Sequence, residues 1–209
     1  MSRQRANRAD AGLPRTQAAR SEGTRAALVR AARRLFGARG YAAVGTEEIV
    51  REAGVTRGAL YHHFGGKEDL LSAVFEQLEA DLLERITERV TAVGAEDPMA
   101  ALSVGAESML EAATEPEVHR IVLLDAPSVL GWERWREIGW RYGMGLTESA
   151  LEAAIEAGQI ARQPVRPLAH VLLGALDEAA LYVARAPDPA AARAEMGAAL
   201  ERVLGGLRA

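Results

Sequence analysis

Residues 46–70 read TEEIVREAGVTRGALYHHFGGKEDL, and this stretch decides the fold. Thr46 reads as an N-cap with Glu47 and Glu48 in the positive first turn of a short helix, Thr46 to Ala53. Gly54 ends that helix, Val55 and Thr56 connect, and Thr56 caps a second short helix, Arg57 to His63. After Phe64 the pair Gly65-Gly66 breaks the chain, and a long amphipathic helix is expected from Lys67 to about Val93. Two short helices about a tight turn make a helix-turn-helix, whose second helix enters the DNA major groove. That helix has suitable side chains: Arg57 can donate to guanine edges or phosphates, and Gly58 and Ala59 permit close approach. Tyr61 and His62 add polar groups on flat apolar bodies. An αα-hairpin inside a helical bundle fits the same spacing, with Tyr61, His62 and His63 half-buried as packing.

N-terminal to this unit, Ala27, Leu28, Ala31, Ala32, Leu35 and Phe36 recur at three- and four-residue steps, and Gly40 stands where a C-cap would. A helix is therefore expected from about Glu22, behind a disordered basic tail at 1–20. Residues 21–66 are expected to form one domain and 67–209 another. Charge divides along the same line: residues 1–66 carry a net +7 and residues 67–209 a net -11, together -4. A basic head on an acidic body suits a polyanion partner for the head alone.

The rest reads as helices near 97–113, 116–125, 131–158, 167–186 and 189–206, divided at Gly94 through Pro98, Thr114 through Pro116, Pro127, Gly158 through Pro167, and Pro187 through Pro189. With Ala, Leu, Glu and Arg dominant and no sustained period-two alternation, the expected class is all-α.

The composition also bounds the chemistry. There is no cysteine, so disulfides, thiol catalysis and thiolate metal sites are excluded. The histidines are His62, His63, His119 and His170, with no metal-ligand spacing among them and no phosphate-binding glycine loop or nucleophile elbow. No metal, cofactor or catalytic residue is expected. A purely structural helical module would leave the charge division without a cause. The N-terminus lacks the apolar core of a signal peptide and no 18-residue apolar run is read, so a cytoplasmic protein without a membrane span is expected.

Residues 24–70, above all GVTRGALYHHF followed by Lys67-Glu68, resemble the N-terminal domain of tetracycline-repressor-type (TetR family) regulators. The resemblance implies that Thr46, Thr56 and Tyr61 contact phosphates, that Arg57, Gly58 and Ala59 face base edges, and that His62 lies at the groove. It implies a phosphate contact for Lys67, the only lysine of the chain. Gly66 stands where many relatives have Ser or Asn.

The resemblance further implies a double-stranded DNA operator, a homodimer and a small-molecule effector bound in the helical body, most simply with repression relieved by a small, mostly apolar ligand. Candidate pocket residues are Phe75, Met109, Leu124, Asp125, Trp132, Trp135, Tyr142, Met144 and Asp177. The tryptophan-rich segment that supplies several of them could equally be core or an exposed patch. The last two helices are apolar over wide faces, which suits a four-helix interface made from two copies. Its candidates are Leu168, Val171, Leu172, Ala175 and Ala179 in one helix and Met196, Leu200, Val203 and Leu204 in the other. A single-chain core explains the same residues.

Overall fold

The computed structural model describes residues 17–94 and 97–208. Of the tail expected at 1–20, residues 1–16 lie outside the described residues, whereas Gln17 through Arg20 form the first turn of helix α1 (Gln17–Arg39). Leu28, Ala31, Ala32 and Phe36 are its buried stripe. Gly40, at φ +82°, ends it and donates to the Phe36 carbonyl at 2.7 Å. This left-handed conformation is open to glycine at little cost.

α2 (Thr46–Ala53) buries Ile49 and Val50, and α3 (Arg57–His63) buries only Leu60. Thr46 is not the cap expected of it: the N-cap is Gly45, in extended conformation, and Thr46 is already helical. Thr56 does cap α3, accepting from the Ala59 N–H at 3.2 Å. Gly54 supplies the left-handed turn between the two.

The connecting helix α4 (Lys67–Gly94) has 28 residues, about 42 Å at 1.5 Å per residue. With Gly66 offering no side chain, Asp69 accepts from the Gly65 N–H at 2.9 Å at its start. α5 (Pro98–Ala112) and α9 (Pro189–Gly205) each follow an Asp-Pro pair, in which Asp97 or Asp188 accepts two backbone N–H groups and the proline occupies the first turn. These pairs are helix starts as much as breaks.

Between α5 and α6 (Ala126–Leu130) the chain forms a π-helical segment, Val118–Asp125. In its bonding pattern the Ala126 N–H reaches the Ile121 carbonyl five residues back. The next N–H would serve Val122, but residue 127 is proline and has none. The buried Trp135 indole supplies the missing donor, Nε1 to the Val122 oxygen at 2.8 Å. Pro127 therefore does not divide two helices as expected; helical backbone runs through it to Gly131, where α7 (Trp132–Glu156) begins.

α8 (Val165–Arg185) packs against α5, α7 and α9. By length and composition it is apolar enough to cross a membrane, contrary to the expectation from sequence, as core helices of soluble proteins also are. It carries His170 and Asp177 half-buried within this packing and Arg166 and Glu178 at the surface. Among the described residues there is no strand, and one antiparallel bridge joins Ile160 to Arg208. One buried cluster runs from Leu28 and Phe36 through Leu71 and Phe75 to Ile121 and Trp135, so the small N-terminal unit and the larger bundle share hydrophobic contacts.

Candidate DNA-reading face and body cavity

The α3 face is built from its cap outward. With Leu60 fully buried, the remaining side chains of this short helix point away from the core, and Arg57, Gly58, Tyr61 and His62 are exposed while Ala59 is half-buried. A Cβ built on Gly58 would meet nothing closer than the Thr56 hydroxyl at 3.8 Å, so the helix is slender there. The Arg57 guanidinium rests over the Tyr61 ring, 5.6 Å from its centroid, with Glu47 at 3.4 Å. Both contacts are solvent-exposed and weak, so Arg57 is free to exchange them for a stronger acceptor. Thr56 is exposed beside it, and Thr46 is half-buried.

Lys67, for which the resemblance implies a phosphate contact, has protein partners in this structure. Its ammonium donates to the carbonyls of Tyr41 at 2.8 Å and Val44 at 2.9 Å and lies 3.9 Å from the Tyr41 ring centroid. Burial holds its pKa below the usual lysine range, against the opposing charge of Asp125. Lys67 thus ties the loop after α1 to the start of α4.

A second set of contacts joins α1 to the π-helical segment. Arg33 forks onto Glu117 with two bonds of 2.9 Å and also pairs with Asp81 of α4. The bond to Glu117 raises its pKa above the ordinary guanidinium range despite burial. Arg120 donates to the Ala38 carbonyl at 2.8 Å, and the Asp125 carboxylate accepts from the Tyr41 N–H at 2.7 Å. Asp125, a pocket candidate from sequence, is therefore spent at the end of α1.

The bundle holds a partly open cavity of about 140 Å³ between α4, α5, α7, α8 and α9, with Val122 of the π-helical segment in its wall. Phe75, Met109, Trp135, Tyr142 and Asp177 line it. Leu124, Asp125, Trp132 and Met144 do not: Leu124 and Trp132 are turned to solvent at 38% and 47% exposure, and Met144 packs against a separate cluster around Met99 and Leu151. The wall carries three charged side chains, Glu79, Arg136 and Asp177. Burial pushes the Glu79 carboxyl up to about 8, with the Asp177 charge adding to the effect. Burial likewise raises Asp177 to about 6, opposed by the Trp140 indole, which donates to it at 3.1 Å, and by the Arg136 charge.

Glu79 and Arg136 were missed in the sequence. Glu79 had left a signal, since it sits four residues after Phe75 and four before Leu83, an acid inside an apolar helical stripe. Arg136 lies one turn from both Trp132 and Trp140 and over both rings, a pairing that only the helical register reveals.

Of the interface candidates, Val171 and Val203 are exposed, and Leu168, Leu172, Ala175, Met196 and Leu200 are half-buried. Ala179 and Leu204 are buried within the chain itself and offer no surface. Tyr182, 48% exposed, lies on the same helix as Val171 at an eleven-residue interval, three turns along one face.

Residues 28–74 match the family model for bacterial regulatory proteins, tetR family, and residues 99–207 that for the tetracyclin repressor-like C-terminal domain. The Transposon Tn10 TetC protein of Escherichia coli is 32% identical over 133 residues, 64% of this chain and 66% of its own length. The HTH-type transcriptional regulator CymR of Pseudomonas putida is 40% identical over 83 residues, 40% of this chain and 41% of its own. The chain thus spans less than two thirds of these curated relatives. A solved TetR-family transcriptional regulator from Pectobacterium atrosepticum is 38% identical, superimposes with a TM-score of 0.82, and covers 93% of this chain and 98% of its own. The chain therefore belongs to the tetR family of bacterial regulatory proteins and is a helix-turn-helix, DNA-binding transcriptional regulator.

Proposed function

We propose that this regulator is a cytoplasmic repressor, not an enzyme, that holds a palindromic operator as a homodimer and leaves it when a small, mostly apolar ligand enters the body cavity. The observation that carries the reading is the α3 face, where a fully buried Leu60 fixes the helix while Arg57, Tyr61 and His62 are exposed at its surface. Thr46, Thr56 and Tyr61 would hold phosphates, while Arg57, Gly58, Ala59 and His62 face the groove. Residues 21–66 would act as the reading head and residues 67–209 as the sensing and pairing body. Lys67 serves the head by fixing its loop.

Support for dimerisation comes from the exposed apolar residues Val171, Tyr182 and Val203 on α8 and α9. Support for ligand control comes from continuity: Phe75, Glu79 and Leu82 on the cavity wall belong to the helix that begins at Lys67, against the head. A ligand that displaces α4 changes the separation of two heads and so their fit to successive major grooves.

The test is a footprint on the DNA flanking the protein's own gene at two salt concentrations. Protection of a near-palindrome that survives competitor DNA supports the proposal. Binding without sequence preference at either salt would sink it.

A further inference from the structure

Resting on the reading of the cavity as the effector site, we infer that the effector is an organic monocation: a protonated amine on an apolar skeleton, its ammonium held by the carboxyls of Glu79 and Asp177.

The argument is one of unmet demand. The wall is apolar except near one group of side chains, where Glu79 from α4 and Asp177 from α8 interact through space and Arg136 from α7 joins them. With both carboxyls ionised, one guanidinium leaves the site one positive charge short, and Glu79 meets that shortfall by holding a proton. Three built-in donors are spent, the Trp140 indole on Asp177, the Trp135 indole on the Val122 carbonyl and the Thr147 hydroxyl on the Gly143 carbonyl, and the Arg136 guanidinium stacks on the Trp140 ring instead of pairing with Glu79. Glu79 is half-buried on the cavity wall, and among the described residues no donor reaches its carboxyl. A buried carboxyl without a donor costs free energy that a ligand can recover.

An anion is a poor fit. The Arg136 guanidinium lies 4.1 Å from the Trp140 ring centroid with its Nε buried, so only its terminal N–H groups could meet an anion, beside the Asp177 carboxylate. A carboxylate ligand would instead face two carboxyls. In the empty site Glu79 keeps its proton, as its pKa of about 8 reflects. An entering ammonium takes the proton's place, so binding releases a proton and strengthens as pH rises. The groups that bear on this titration are Asp177 from α8 and Arg136 and Tyr142 from α7; the cavity residues of α5 and α9 are all uncharged.

The experiment is calorimetric titration of the full chain with 4-phenylbutylamine, 4-phenylbutan-1-ol and 4-phenylbutanoate, which differ in charge on one skeleton. The amine is expected to bind at least about tenfold tighter than the alcohol, and to gain about tenfold between roughly pH 6.5 and pH 8.5. Glu79→Gln should bring the amine to the alcohol's affinity and remove the amine's dependence on pH. An alcohol or carboxylate that binds wild type as tightly as the amine overturns the charge assignment and leaves the effector cavity standing. No binding by any of the three overturns both.

Discussion

Arg57 and Lys67 show how far a single residue can be understood from its neighbours in sequence. The cap beneath Arg57 is an i to i+3 bond, Thr56 to Ala59, and local spacing announces it. Lys67 finds its acceptors 23 and 26 residues back, at Val44 and Tyr41, and nothing near it in sequence predicts them. The two residues should therefore fail differently. Arg57→Ala should weaken operator binding by about 1–3 kcal/mol with the dimer intact, read by mobility shift and sedimentation. Unchanged affinity in a folded variant would move the reading face elsewhere. Lys67→Met should lower unfolding stability by about 1–2 kcal/mol, since two charge-assisted bonds to carbonyls are lost. An unaltered melting temperature, with the salt slope of operator binding reduced by about one, would return Lys67 to the phosphates.

Helix boundaries were legible wherever capping is chemical. Asp97-Pro98 and Asp188-Pro189 mark α5 and α9, and Gly54 marks the turn between α2 and α3. Thr46 misled because threonine serves as a cap or as a first helical residue, and the extended conformation of Gly45 took the cap one position earlier. Gly54→Ala should cost about 1–2 kcal/mol, because φ is +66° and a Cβ would meet no atom within 4 Å, so the penalty is purely conformational. Chemical denaturation reads it, and no shift in midpoint would mean the turn can relax. The π-helical segment was illegible for a different reason: Pro127 is visible, but its effect depends on Trp135 completing the Val122 carbonyl. Trp135→Phe keeps a ring in the core and removes that donor, with an expected loss of about 1–3 kcal/mol. A loss within experimental error would show that another donor fills the place.

On the scale of the whole molecule, the charge division between 1–66 and 67–209 was plain in the sequence, whereas the carboxyl pair of the cavity required two helices to meet. That pair gives the unliganded protein a pH signature. Glu79 ionises near its ordinary value when unfolded and only at about 8 when folded, so the native state binds the extra proton between those limits. Stability then falls as pH rises through that window and levels off above it, the reverse of an ion-paired acid. Asp177 adds the same slope below about 6. Thermal melts should decline from about pH 5 to pH 8, and Glu79→Gln should flatten the upper part of the decline. A variant with the wild-type slope between about pH 6 and pH 8 would show that Glu79 is not the group responsible.

The contacts of α1 and the loop after it with the π-helical segment and its N-cap Glu117 run in register: Arg33 with Glu117, Ala38 with Arg120, Tyr41 with Asp125. They form a ladder of three rungs, ascending along both strips in the same direction. One rung alone would let the strips slip by degrees. Three of unlike length and chemistry match in a single alignment, so sliding breaks all of them together or none. A shift of α1 against this segment would come as a click between two settings.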